Sequence, residues 1–144
     1  MKNFMLVLLV LLFCSCGMSP GPEKVLETYY KNLFAGKMIE NIDLMAGEDG
    51  MTIADVPGYN PKESAQQMKE ISEMLIEAYK TEYGVKEVVI DKFEVLDVEY
   101  NEEKDRAKVS FTIQLKDVER VEVSEHILIN IDKNWKVSVT ETTF

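Results

Sequence analysis

Arg106-Ala107-Lys108-Val109-Ser110-Phe111-Thr112-Ile113-Gln114-Leu115-Lys116 alternates strictly between apolar and polar side chains. A strand turns successive side chains to opposite faces. Ala107, Val109, Phe111, Ile113 and Leu115 therefore share one face, and Lys108, Ser110, Thr112, Gln114 and Lys116 share the other. A strand with one greasy and one wet face belongs to an antiparallel sheet covered on one side only. Upstream, after the polar turn Asn101–Asp105, the β-rich stretch 85–100 places Phe93 and Val95, then Val98 and Tyr100, with one residue skipped between the pairs. Such a skip predicts a β-bulge. Downstream, Asp117–Arg120 predicts a turn, and Val121, Val123, Ile127, Ile129 and Ile131 mark a third strand. A tight turn at Asp132-Lys133-Asn134 leads to a last strand with Trp135, Val137 and Val139.

The residues ahead of the strands have helical period. Pro22 suits a first helical turn, where its missing N–H is not needed, and Glu23 there meets the positive end of the helix dipole. Val25, Leu26, Tyr29, Tyr30, Leu33 and Phe34 form two adjacent rows on one helix face, and Gly36 predicts the stop. Residues 38–46 predict a second, shorter helix ended by Gly47, and 48–60 a long loop, a length often used for binding. Pro61 opens the longest helix, closed by Gly84, with Ala65, Met68, Ile71, Leu75, Tyr79 and Tyr83 along one face. Helices first and hairpin-linked strands after predict an α+β domain, with N-terminal helices packed on an antiparallel sheet of about four strands.

The N-terminus predicts export. Lys2 is followed by an apolar run from Phe4 to Phe13, too short for the ~20 residues of a membrane-spanning helix but suited to a signal peptide. Leu12-Phe13-Cys14-Ser15-Cys16 resembles the lipobox of bacterial lipoproteins. The resemblance implies cleavage after Ser15 and a diacylglyceryl thioether on Cys16. Phe13 stands where the motif usually has Leu, and Cys14 as the target would place Phe13 at the cleaved bond. The predicted organisation is a signal peptide at 1–15, a tether at 16–21 and one domain at 22–144. Anchoring by two or more acyl chains holds stably, where one chain holds marginally. Both cysteines lie in this segment, so the domain carries no internal disulfide. Gly17, in place of the aspartate that commonly retains lipoproteins at the inner membrane, predicts an outer-membrane protein facing the periplasm.

A net charge of −10 argues against nucleic acid as a partner, because phosphates repel such a surface. The partners expected are the membrane, through the lipid, and a protein or small molecule. The sequence predicts no metal site and no cofactor. The single histidine, His126, lies on the strand face opposite Ile127 and Ile129 and is read as an isolated surface or groove residue; Glu48-Asp49 and Glu102-Glu103 lack the spacing of a calcium loop. No Ser–His–Asp or Cys–His pair can be assembled.

Ser19-Pro20-Gly21-Pro22-Glu23-Lys24-Val25, the following Tyr29-Tyr30-Lys31-Asn32-Leu33 and Gly36, and the closing Asp132-Lys133-Asn134-Trp135-Lys136-Val137 resemble the lumazine-binding-like lipoproteins of unknown function. These belong to the cystatin-like, nuclear transport factor 2-like folds. The chain departs from that pattern at Gly36-Lys37, where Gly-Asp is frequent. The resemblance implies a curved sheet folded around the long helix to leave a cone-shaped cavity, and it implies no fixed chemistry. Tyr29, Tyr30, Tyr79 and Trp135 are the expected lining. Relatives of the ketosteroid isomerase type use a tyrosine and buried acids in such a cone, which would give Tyr29, Tyr30, Tyr79 and Asp43 that role. The expectation is instead a non-catalytic binding module, with the small enzyme or an acidic inhibitor of a basic partner as the alternatives.

Overall fold

A computed structural model describes residues 19–47 and 49–139. The chain forms helix α1 (Pro22–Phe34), a 3-10 segment (Met38–Leu44), strand β1 (Met45–Ala46), a 3-10 turn (Ile53–Asp55) and helix α2 (Pro61–Tyr83). Strands β2 (Ile90–Tyr100), β3 (Arg106–Leu115), β4 (Glu122–Ile131) and β5 (Asn134–Ser138) follow. The sheet order is β1-β5-β4-β3-β2, antiparallel except for β1, which pairs parallel with β5.

The predicted helix over 38–46 is a 3-10 helix that gives way to β1. A three-residue turn brings Met38 and Asn41 to one side, and both are buried. Asn41 fixes that geometry. Its Nδ2 donates to the Tyr29 carbonyl at 2.8 Å, and its Oδ1 accepts from Asn32 Nδ2 at 2.9 Å. Met45 and Ala46 then extend along β5, adding a fifth strand to the four expected.

The strand Arg106–Leu115 lies inside the sheet between β2 and β4 and alternates as its sequence does, with Ala107, Val109 and Phe111 fully buried. The bulge lies where the skip predicts it. Phe93 and Val95 face Ile113 and Phe111, the register shifts between Val95 and Asp97, and Val98 and Tyr100 face Val109 and Ala107.

Two expectations are corrected. The helix on the sheet is α1 rather than the long helix: Val25 and Leu26 join Val109, Phe111, Leu128 and Val137 in one core. Helix α2 lies mainly against α1 and the 3-10 segment. Ser72 is its one buried residue; Ile71 and Met74 are exposed. It reaches the sheet region through Tyr79 and Tyr83 near its C-terminus. The second correction concerns β4. Pairing sets Leu128 opposite Ala107 and His126 opposite Val109, so the even-numbered residues of β4 face the helices. The apolar odd-numbered set turns outward, where Ile129 is still buried between its cross-strand neighbours Arg106 and Lys136, whose long stems can cover it.

Candidate functional site

Because β4 is turned this way, the concave face of the sheet carries a polar stripe: Glu122, Ser124, His126 and Asn130, interrupted by Leu128. Over it, α1 presents two consecutive tyrosines. The Tyr30 hydroxyl lies 3.4 Å from His126 Nδ1, and His126 Nε2 lies 3.1 Å from the Ser138 carbonyl oxygen. A carbonyl only accepts, so Nε2 carries the proton and donates it. Nδ1 is then a lone-pair acceptor, and Tyr30 donates to it. Both ring nitrogens are committed, and His126 is not the isolated residue its position in the sequence suggested. Burial pushes its pKa below the usual imidazole value of 6.5, partly opposed by the bond to Ser138. Burial also pushes the Tyr30 hydroxyl well above 10, with Tyr29 and Tyr79 adding to the effect.

The remaining walls are aromatic. Tyr30 contacts Tyr29 at 5.4 Å between ring centroids, Phe111 at 5.1 Å and Phe34 at 6.2 Å. Phe34 meets Tyr79 edge-on at 4.9 Å, and Tyr79 stacks with Tyr83 at 5.7 Å. Such pairs add about 0.5–1.5 kcal/mol each beyond area burial. At the mouth, Tyr79, Tyr83, Ile113, Leu115, Arg120, Glu122 and Ser124 enclose about 30 Å³. That is room for a water molecule. Arg120 and Glu122 form an ion pair there.

Of the expected lining residues, Tyr29, Tyr30 and Tyr79 are joined through this chain of rings. Trp135 lies on the same face and packs against the same core as Tyr29 and Tyr30, but its ring contact is with Tyr100 at 5.8 Å, outside that chain of rings. Asp43 is exposed, with its carbonyl accepting from Lys136, and lies outside the cone. Cys16 lies outside the described residues. The Tyr29 hydroxyl, raised in pKa by burial, makes no hydrogen bond among the described residues. A wider groove of about 470 Å³ runs past Tyr83, Lys86, Val89 and Lys116, but its polar side chains are exposed. Among the described residues no group of three or more His, Cys, Asp or Glu is placed to hold a metal, and no helix is long and apolar enough to cross a membrane.

His126 was the residue that sequence reasoning undervalued. The signal was present: it is two residues from Leu128 and shares its face. Reading it required knowing that Leu128, not the isoleucines, points inward.

No protein-family profile matches the chain, and no curated protein matches it in sequence. Among solved structures, it is similar to the "Putative NTF2-like transpeptidase" of Campylobacter jejuni, with 13% identity and a TM-score of 0.59, over 84% of this chain and 100% of that one. The intermembrane space region of the chloroplast protein ARC6 aligns over 81% of this chain and 88% of that one, at 15% identity and a TM-score of 0.43. The first likeness, together with helices packed on an open curved sheet, gives this chain the NTF2-like fold.

Proposed function

We propose that the chain is a bacterial lipoprotein, anchored through Cys16 to the outer membrane and facing the periplasm, whose domain binds a small molecule or a protein segment without transforming it. The resemblance to the lumazine-binding-like lipoproteins supports the class. The observation that carries the absence of chemistry is the state of His126. Its Nε2–H is spent on a backbone carbonyl and its Nδ1 lone pair on Tyr30, so it has no free nitrogen with which to take a substrate proton. An isomerase of the ketosteroid type needs an acid inside the cone. Asp43 is outside it, and Glu122 is held by Arg120 at the mouth. Acyl transfer of the kind named for the Campylobacter protein needs an activated nucleophile. The only cysteines are Cys14 and Cys16, both in the predicted export segment. What the site offers instead is aromatic surface, the unspent Tyr29 hydroxyl, and the Arg120–Glu122 pair at its rim.

Two measurements on the full chain test this. Native mass spectrometry of protein extracted from its own membranes in mild detergent is expected to show a non-covalent adduct. A fragment library screened by NMR is expected to move the resonances of the lone histidine. If extracts carry no adduct and no fragment perturbs His126, the concave face is not a binding site. If a fragment is turned over, the non-catalytic reading fails.

A further inference from the structure

Ser19, the first described residue, lies at one end of the sheet. Its hydroxyl donates to Asn134 Oδ1 at 3.2 Å, and Asn134 opens β5 directly after the β4–β5 turn. The β2–β3 turn closes the same end: the Asn130 N–H donates to the Asp105 carbonyl at 2.7 Å, and Tyr100 pairs with Ala107. Helix α1 starts here at Pro22 and runs toward Phe34, which meets Tyr79.

The aromatic site extends to the other end. Strand β3 starts at Arg106 beside the turns and ends at Leu115, opposite Ile90. At about 3.3 Å per residue it spans roughly 30 Å. The rings of Tyr30, Phe34, Tyr79 and Tyr83 follow that direction, and Tyr83 stands with Leu115 at the far end. There the Lys116 N–H donates to the Val89 carbonyl at 2.8 Å, which holds the connection from α2 to β2 at that end too. Cys16 precedes Ser19 by three residues. At no more than about 3.6 Å per residue, covalent reach keeps it within about 11 Å of Ser19, far short of the length of β3. The turn end also carries residue types that settle at membrane interfaces: Tyr100, 48% exposed, packs on Trp135. Along both α2 and β2, acids outnumber bases, so the flanks gain nothing from lying on an anionic bilayer.

We propose, resting on the reading that Cys16 is lipidated, that the end bearing Ser19 and the turns at 101–105 and 132–133 is the membrane-facing surface of the anchored chain. The far end, with Tyr79 and Tyr83, then points away from the bilayer. The aromatic site takes its ligand from the aqueous side, so the ligand is a water-borne molecule or segment and not a lipid drawn from the membrane.

Energy transfer to a membrane surface reads this directly. The processed protein, extracted from its own membranes and reconstituted into phosphatidylcholine vesicles, has no free thiol once Cys14 is cleaved off and Cys16 is a thioether. A single thiol can then be placed at either end, through Glu103→Cys or Lys86→Cys, both at exposed positions, and labelled with a donor fluorophore. With an acceptor on a small fraction of the lipid headgroups, the donor at 86 is expected to lie roughly 20–30 Å further from the acceptor plane than the donor at 103. Equal distances, or a closer donor at 86, in protein that floats with the vesicles overturn the orientation and leave the anchor standing. Protein that does not float overturns the anchor and the orientation together. The origin of the ligand is read separately, by native mass spectrometry of the extracted protein. The adduct is expected to be a molecule without acyl chains, and a phospholipid adduct overturns the aqueous route.

Discussion

At the scale of the residue, the pairing of Tyr30 with His126 has consequences for pH. Burial lowers the folded pKa of His126 below 6.5, so as pH falls the unfolded chain takes up its proton first. The stability contributed by neutral His126 is therefore complete above about 6.5 and drains away as pH falls through the folded pKa. The chain has a single histidine, so its NMR titration is unambiguous. The midpoint is expected below 6.5, and urea midpoints are expected to fall with pH in the same window, before the carboxylates titrate. Tyr30→Phe removes the donor that favours a bare Nδ1, so the midpoint should rise toward 6.5, with a loss of about 0.5–1.5 kcal/mol of stability. A Tyr30→Phe midpoint equal to or below the wild-type value would show that the hydroxyl is not bonded to the ring.

At the scale of the element, two buried polar side chains hold the helical layer together. Asn41 bonds the 3-10 segment to α1 through the Tyr29 carbonyl and Asn32. Ser72, buried on α2, donates to the Leu33 carbonyl at 3.0 Å. Asn41 is fully buried, and three groups bond to it: the Tyr29 carbonyl, Asn32 Nδ2 and Met38 Sδ. Asn41→Ala is therefore expected to cost about 1–3 kcal/mol, and Ser72→Ala about 1 kcal/mol. Urea unfolding monitored at Trp135 checks both; equal costs would mean that α2 is held as firmly as the 3-10 segment. The same elements show what was legible beforehand. The alternation in Arg106–Lys116 and the skip between Val95 and Val98 are local patterns, and the sheet obeys them. The facing of β4 was not legible. Ile127, Ile129 and Ile131 are the more apolar set, yet the hairpin register imposed by β3 puts His126 and Leu128 inside. Likewise, the apolar rows of α1 and α2 each predict a buried face, but not which of the two helices the sheet takes. Of the site, Tyr29, Tyr30 and Tyr79 could be named from helical spacing. Their meeting with His126 depends on that hairpin register, which no local pattern contains.

At the scale of the whole molecule, the proposed anchor at Cys16 makes a measurable claim about where the domain is held. Helix α1 begins at Pro22, and the predicted tether spans only residues 16–21. At no more than about 3.6 Å per residue, the domain would stand within roughly 20 Å of the bilayer. The chain carries a net charge of −10, which disfavours attraction to anionic headgroups as a means of holding it there. In the proposed lipoprotein, attachment would come from acyl chains, at about 0.8 kcal/mol per buried methylene. Cells fed labelled palmitate are expected to incorporate the label into the wild-type chain and not into Cys16→Ser. Intact mass of the membrane-extracted protein should match residues 16–144 plus lipid. A lipidated product beginning at Cys14 would move the anchor by two residues and leave the lipoprotein reading standing. An unlabelled wild-type chain recovered in the aqueous phase would remove the anchor, and with it the reason to place the binding site at a membrane surface.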